Sequence, residues 1–181
     1  MKELLLLLIG SVVMNNCVLQ GYLGVTAAMG NAKCSCKCAK IGLAVTAAMV
    51  LTTLVAWPVQ NFVLAPFGLE YFRTLLFVLI ILALVYAMKA LVKVEGICFP
   101  LVALNTAVLG VTLQNISLTF VQALVASLGA GLGLMVAMLL FAGVRSRLEK
   151  CNVPKFLQGL PITLIAAAIV ALSFLGFAGV A

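Results

Sequence analysis

LLLLLIGSVVMNNCVLQGYLGVTAAM, residues 4–29, is long and apolar enough to cross a bilayer, yet it carries two amides near its middle, Asn15 and Asn16. Residues 97–113, ICFPLVALNTAVLGVTL, repeat the situation with Asn105. An amide without a partner is costly in hydrocarbon, so such residues persist where a helix breaks and lines a protected cavity. Residues 4–14 rise ~16 Å as a helix, about half of a ~30 Å hydrocarbon core. Residues 97–104 rise ~12 Å. Both asparagine sites therefore fall near the midplane, approached from opposite faces. Gly21, Gly24 and Gly110 permit the unwinding or close backbone approach such a site requires. Two interrupted spans in corresponding halves point to a buried binding site at mid-depth.

The composition makes the bilayer the solvent. Of 181 residues, 66% are hydrophobic and only 8% charged, and the mean hydropathy is +1.33. A soluble surface needs far more charge. A span takes ~20 apolar residues, so the length accommodates about six and leaves no soluble catalytic domain. The chain contains no histidine, which removes the commonest general base and a common haem or copper ligand. The net charge of +7 reads as cytoplasmic loop anchoring; no basic-aromatic domain exists to hold a nucleic acid. The opening Met1-Lys2-Glu3 and the leucines after it lack a small-residue cleavage site downstream, so they read as part of the first span.

The pattern predicts an all-α, polytopic membrane protein with spans at about 4–29, 41–57, 71–89, 97–113, 118–144 and 160–180. Lys33, Lys37 and Lys40 follow the first span, Lys89 and Lys93 the third, and Arg145, Arg147, Lys150 and Lys155 the fifth. Lys2 and Arg73 fall on the other side, where Pro58, Gln60, Asn61, Pro66 and Glu70 make a nearly uncharged loop. The positive-inside rule places both termini outside and the three basic loops in the cytoplasm. Asn15-Asn16-Cys17-Val18-Leu19 resembles Asn105-Thr106-Ala107-Val108-Leu109, an offset of 90; Leu23-Gly24-Val25-Thr26 matches Leu109-Gly110-Val111-Thr112 at a competing offset of 86. Both relate the first span to the fourth. Three spans per repeat is odd, so the halves enter from opposite sides: one integral membrane domain, 1–181, built of inverted three-helix repeats at about 1–93 and 94–181, the first and fourth helices broken.

Asn15-Asn16-Cys17-Val18-Leu19 followed by Tyr22-Leu23-Gly24 resembles the first half-helix of the A subunit of the Rnf complexes, the ion-translocating ferredoxin:NAD oxidoreductases. In that family the A subunit is homologous to the E subunit of the sodium-pumping NADH:quinone reductase. Tyr71-Phe72-Arg73-Thr74-Leu75, Pro100 to Gly110, Phe141-Ala142-Gly143-Val144-Arg145-Ser146-Arg147-Leu148 and Ala171 to Gly179 extend the likeness in order along nearly the whole chain. The resemblance implies a membrane subunit that couples electron transfer between ferredoxin and NAD to sodium or proton movement across a prokaryotic cytoplasmic (inner) membrane. It implies a homologous membrane partner of opposite topology, other subunits bearing flavin, iron-sulfur and NADH sites, and a 2Fe-2S cluster shared with the homologous partner. The positions matching the family's cluster cysteines are Thr26 and Thr106. A threonine hydroxyl is neither soft nor ionised near neutral pH. Three readings stay open: no cluster, a different metal or ligand set, or a scaffold that keeps the ion path without the electron path.

The residues themselves also admit a small secondary transporter or channel-like permease, for which broken helices are equally natural. Asn15, Asn16, Asn105, Gly24 and Gly110 are the expected cavity-lining set. Cys34, Cys36, Cys38, Cys98 and Cys151 all map to the basic, cytoplasmic side and are the alternative metal candidates, although alternate-residue spacing matches neither zinc pairs nor ferredoxin runs. Cys17 reads as a packing residue. Gln114 and Asn115 read as an interfacial turn, and Gly129, Gly131 and Gly133 as a small-residue face for close packing. No Asp or Glu falls within a span, which argues against a carboxylate proton relay in this subunit.

Overall fold

The structure, a computed structural model, describes residues 8, 10–14, 16–18, 21, 23–24, 35–68, 70–91, 102–103, 105–148, 151, 154 and 157–178. Every regular element among them is helical. A π-helical turn, Gly10–Met14, comes first. Helix α1, Ser35–Val59, runs on through a π turn, Gln60–Leu64, and a short turn, Ala65–Phe67. A 3-10 turn, Glu70–Phe72, leads into α2, Arg73–Leu91. Helix α3, Thr106–Gln114, closes in a 3-10 turn, Asn115–Ser117, and is followed by α4, Phe120–Leu148, and α5, Leu160–Ala178. Ala39–Leu64, Arg73–Ala90 and Phe120–Leu148 are long and apolar enough to cross a membrane; Leu160–Phe174 is a shorter apolar helix.

Helix α1 departs from expectation at both ends. Its first turns include Cys36, Lys37, Cys38 and Lys40, which the charge pattern assigns to a loop. The stretch 35–41 has no glycine or proline, and lysine and alanine favour helix, so charge alone does not stop it. At the other end Pro58 lies inside the helix. Proline removes one amide donor and crowds the carbonyl four residues earlier, and the chain widens into the π turn at Gln60–Leu64 just beyond it. The helical path ends where Gly68 takes a left-handed φ of 65° and its N–H donates to Ala65 O at 3.4 Å. Pro58, Gln60 and Asn61 are thus helical rather than part of an open outer loop.

The centre of the fold is the α1–α4 pair. Val45, Ala48 and Met49 from α1 and Leu134, Ala137 and Met138 from α4 are completely buried. They meet because small residues let the backbones approach: Gly131 of α4 faces Thr46 and Gly42 of α1 faces Met135. Helix α2 adds Ile81 and Val85 to this core, and α3 adds Ala107, Val108 and Val111. At the α1–α4 end, Trp57 Nε1 donates to Leu118 O at 3.0 Å and its ring meets Phe120 edge-on at 5.2 Å. Buried hydroxyls are satisfied within their own helix, as when Thr52 and Thr53 donate to the carbonyls of Ala48 and Met49. The perimeter is as oily as the core. Leu75, Leu79, Leu82 and Tyr86 of α2 and Leu160, Leu164, Ile169 and Leu172 of α5 are exposed, the arrangement of helices whose outer solvent is lipid or another apolar subunit.

Candidate functional site

The first break is built by Asn16. Its Oδ1 accepts from Val18 N–H at 3.0 Å, two residues on, which is the geometry by which an asparagine stops one helical run and starts another turn. Its Nδ2 donates to Val12 O at 3.1 Å and to Gly133 O of α4 at 2.9 Å. The side chain is 1% exposed; its bonds to Val12 O and Val18 N–H satisfy backbone groups flanking the break, and its bond to Gly133 O ties the break to α4. Further on, Leu23 N–H donates to Cys17 O at 3.0 Å.

Asn105 builds the second break in the same way. It sits in extended conformation (φ −73°, ψ 114°) as the N-cap of α3, and its Oδ1 accepts from Ala107 N–H at 3.1 Å. That bond fixes which end of the amide is oxygen. Nδ2 is buried and has no partner among the described residues.

The two breaks cross. Gly24 lies against the start of α3, and its N–H donates to Thr106 Oγ1 at 2.9 Å. Its φ is +77°, and a Cβ there would come within 2.7 Å of Asn105 Oδ1, 2.9 Å of Ala107 Cβ and 3.3 Å of Leu134 Cδ1. Only glycine satisfies both the backbone angle and the space. Gly110, one turn along α3, leaves room for Leu23. Because Asn16 bonds Gly133 while a Cβ on Gly24 would reach Leu134, both breaks lie near one level of α4. The small-residue face of α4 serves this fold internally: Gly129 faces Ser11, Gly131 faces Thr46 and Gly133 faces Asn16.

Of the residues singled out in the sequence, the structure therefore brings together Gly24, Asn105, Thr106 and Gly110, with Asn16 beside them on α4. Asn15, Thr26, Cys34 and Cys98 lie outside the described residues, as do the side chains of Cys36 and Cys38. Cys151 is exposed beyond the end of α4, its thiol 3.4 Å from Arg147 O. Among the described residues no three metal-ligating side chains converge. Cys17, the thiol nearest the first break, is buried and faces Ala130 O at 3.9 Å. Asn115 is a buried tie, donating to Ala123 O at 3.2 Å to close the α3–α4 turn, while Gln114 is exposed. Trp57 and the Gly133 carbonyl are structural partners that no local motif announces, since a backbone acceptor far along the chain leaves no side-chain signature.

An apolar chain whose described elements are all helical, and whose two broken segments meet against a glycine-lined helix, defines a polytopic membrane protein. The Rnf-Nqr subunit family of membrane proteins matches residues 4–181, and the chain belongs to that family. It is similar to the A subunit of the ion-translocating oxidoreductase complex of Syntrophotalea carbinolica, with 41% identity covering 99% of this chain and 98% of that one. It is 39% identical to the A subunit of the Na(+)-translocating ferredoxin:NAD(+) oxidoreductase complex of Acetobacterium woodii, covering 97% of each. The A subunit of an ion-translocating oxidoreductase complex from Edwardsiella ictaluri is 40% identical, covering 99% of this chain and 98% of that protein.

Proposed function

We propose that this chain is a membrane subunit of an Rnf-type complex, in which electron transfer between ferredoxin and NAD drives an ion, sodium or proton, across the membrane. The full-length likeness to the A subunits of such complexes carries the reading; the crossing of the two broken segments supports it, because a mid-membrane passage needs irregular backbone held by protein rather than lipid. The chain works in a translocase without a self-contained catalytic site. Its partners are a homologous membrane subunit of opposite topology and subunits bearing flavin, iron-sulfur and NADH sites.

Within this reading the fold is two inverted repeats. The matched asparagine turns at Asn16 and Asn105 support it, each accepting the N–H two residues on. Both termini lie outside and the basic loops face the cytoplasm. What the described residues do is mechanical: Asn16 and Asn105 terminate the helices, Gly24 and Gly110 let the segments touch, and α4 backs the crossing. The result is an uncharged partition across which an ion path has to be completed by neighbouring subunits. The test is affinity purification through this subunit, with ferredoxin-driven NAD reduction and ion uptake measured in inverted vesicles. Co-purification of the flavin- and NADH-binding subunits, and loss of uptake on deleting this chain, are expected. A chain that purifies alone, and whose deletion leaves both activities intact, overturns the proposal.

A further inference from the structure

We infer that the meeting point of this subunit's two broken segments holds no iron-sulfur cluster: the segments are joined there by a hydroxyl–amide lock where a cluster would need thiolates. The inference rests on the proposed membership of an Rnf-type complex and deepens it, by placing any iron-sulfur centre of the complex away from this point. The two positions that the resemblance matches to the family's cluster cysteines, Thr26 and Thr106, are both threonine. Iron-sulfur clusters are held by soft, anionic ligands, and a threonine hydroxyl keeps its proton near neutral pH.

The geometry at Thr106 goes further than the identity of the side chain. Its Oγ1 is already an acceptor, 2.9 Å from the N–H of Gly24. No side chain fits at Gly24, where a Cβ would meet Asn105 Oδ1, Ala107 and Leu134 at a left-handed backbone angle that favours glycine. The polar atom left over beside it is Asn105 Nδ2, and an amide N–H₂ is a donor that cannot ligate a metal ion. Asn105 Oδ1 is held by Ala107 N–H. Cys17 is turned toward Ala130 of α4. The crossing thus offers neutral hydrogen-bond donors, which suit a water or a carbonyl oxygen and repel a cation. A hydrogen bond thus ties the segments at a position where the resemblance implies a cluster ligand.

The test uses the whole complex, purified through this subunit in native form and as T106S, T106V and T26V variants. Iron and acid-labile sulfide per complex are measured chemically, and the reduced complex is examined by low-temperature EPR. No loss of iron or sulfide and no missing EPR signal is expected in any variant. T106V, which lacks the acceptor for Gly24 N–H, is expected to lower the thermal midpoint of the complex, whereas T106S restores it. Loss of iron and sulfide in equal amounts from an assembled T106V complex, with disappearance of one EPR signal, overturns the inference. If T106V fails to assemble, T26V decides by the same readout, because it leaves the lock at Thr106 untouched. Failure of the underlying reading looks different: no flavin- or NADH-binding subunit would accompany the native chain at all.

Discussion

Gly24→Ala separates the physical terms that hold the crossing together. The backbone at φ +77° costs an L-residue about 1–2 kcal/mol. The new Cβ would also meet Asn105 Oδ1 at 2.7 Å and Ala107 Cβ at 2.9 Å, overpacking of a kind that costs about 1–3 kcal/mol. Oδ1 cannot yield without releasing Ala107 N–H, and an N-cap is itself worth ~1 kcal/mol. The expected destabilisation is therefore about 3–6 kcal/mol from these three terms. Gly68→Ala is the internal control, because Gly68 has the same left-handed backbone (φ +65°) with nothing within 4 Å of its Cβ position. It should show the backbone term alone, about 1–2 kcal/mol. Gly143→Ala has open space within α4 and should be neutral, or stabilising by up to ~1 kcal/mol. Thermal melts and detergent-driven unfolding of the purified complex rank the three. If G24A costs no more than G68A, the segments do not touch at this point and the reasoning for a closed crossing fails.

Asn16→Ala removes two donated bonds and one accepted bond. At ~0.6 kcal/mol for each such bond inside a membrane protein, it should lose about 2 kcal/mol in the same melts. Asn16→Asp should be worse, since it deletes both donors and places a charge in an apolar interior; equal stability of the two variants would contradict the assignment of Nδ2. Gly131→Ala should destabilise the α1–α4 contact through Thr46, 2.5 Å from the new Cβ, and adding Thr46→Ala should recover most of the loss; strict additivity in that double-mutant cycle would show that the two sites are not in contact. With the other five cysteines replaced by serine, the exposed Cys151 should react with a membrane-impermeant maleimide in inverted vesicles and stay unlabelled in intact cells. The reverse pattern would invert the proposed orientation.

The breaks are legible in the sequence because an amide in an oily run has few reasons to be there. Asn16, Asn105, Gly24 and Gly110 can all be named from the chain alone, and the structure places three of them at one crossing with Asn16 alongside. The start of α1 is not legible, because lysines signal the membrane boundary and say nothing about where a helix begins: Lys37 and Lys40 are as good helix formers as their neighbours. Pro58 is equally misleading, since a proline that reads as a loop residue can be absorbed by widening the next turn. The α4 glycines suit an internal face and a partner face equally well by composition. Only the positions of Ser11, Thr46 and Asn16 opposite them decide it, and residues so distant along the chain leave no local pattern.

The asparagine turns also bear on the two competing repeat registers. Asn16 and Asn105 do the same local work, each extending Oδ1 to the N–H two residues ahead, so the proposed repeat is expected to pair these two. That register is one residue short of the larger offset seen in the sequence, and it also aligns Gly21 with Gly110 and Cys17 with Thr106. The matched positions then diverge. Cys17 turns toward Ala130 of α4 while Thr106 takes the Gly24 amide, and Asn16 spends its Nδ2 on two carbonyls while Asn105 keeps a donor without a partner among the described residues. A donor buried in an apolar interior costs roughly 1–3 kcal/mol if it stays unmet. Pseudo-symmetry in the breaks combined with asymmetry in what they bond to places that cost at the start of α3, so the contact that completes this fold is expected there, supplied as an acceptor oxygen by water or by the neighbouring subunit.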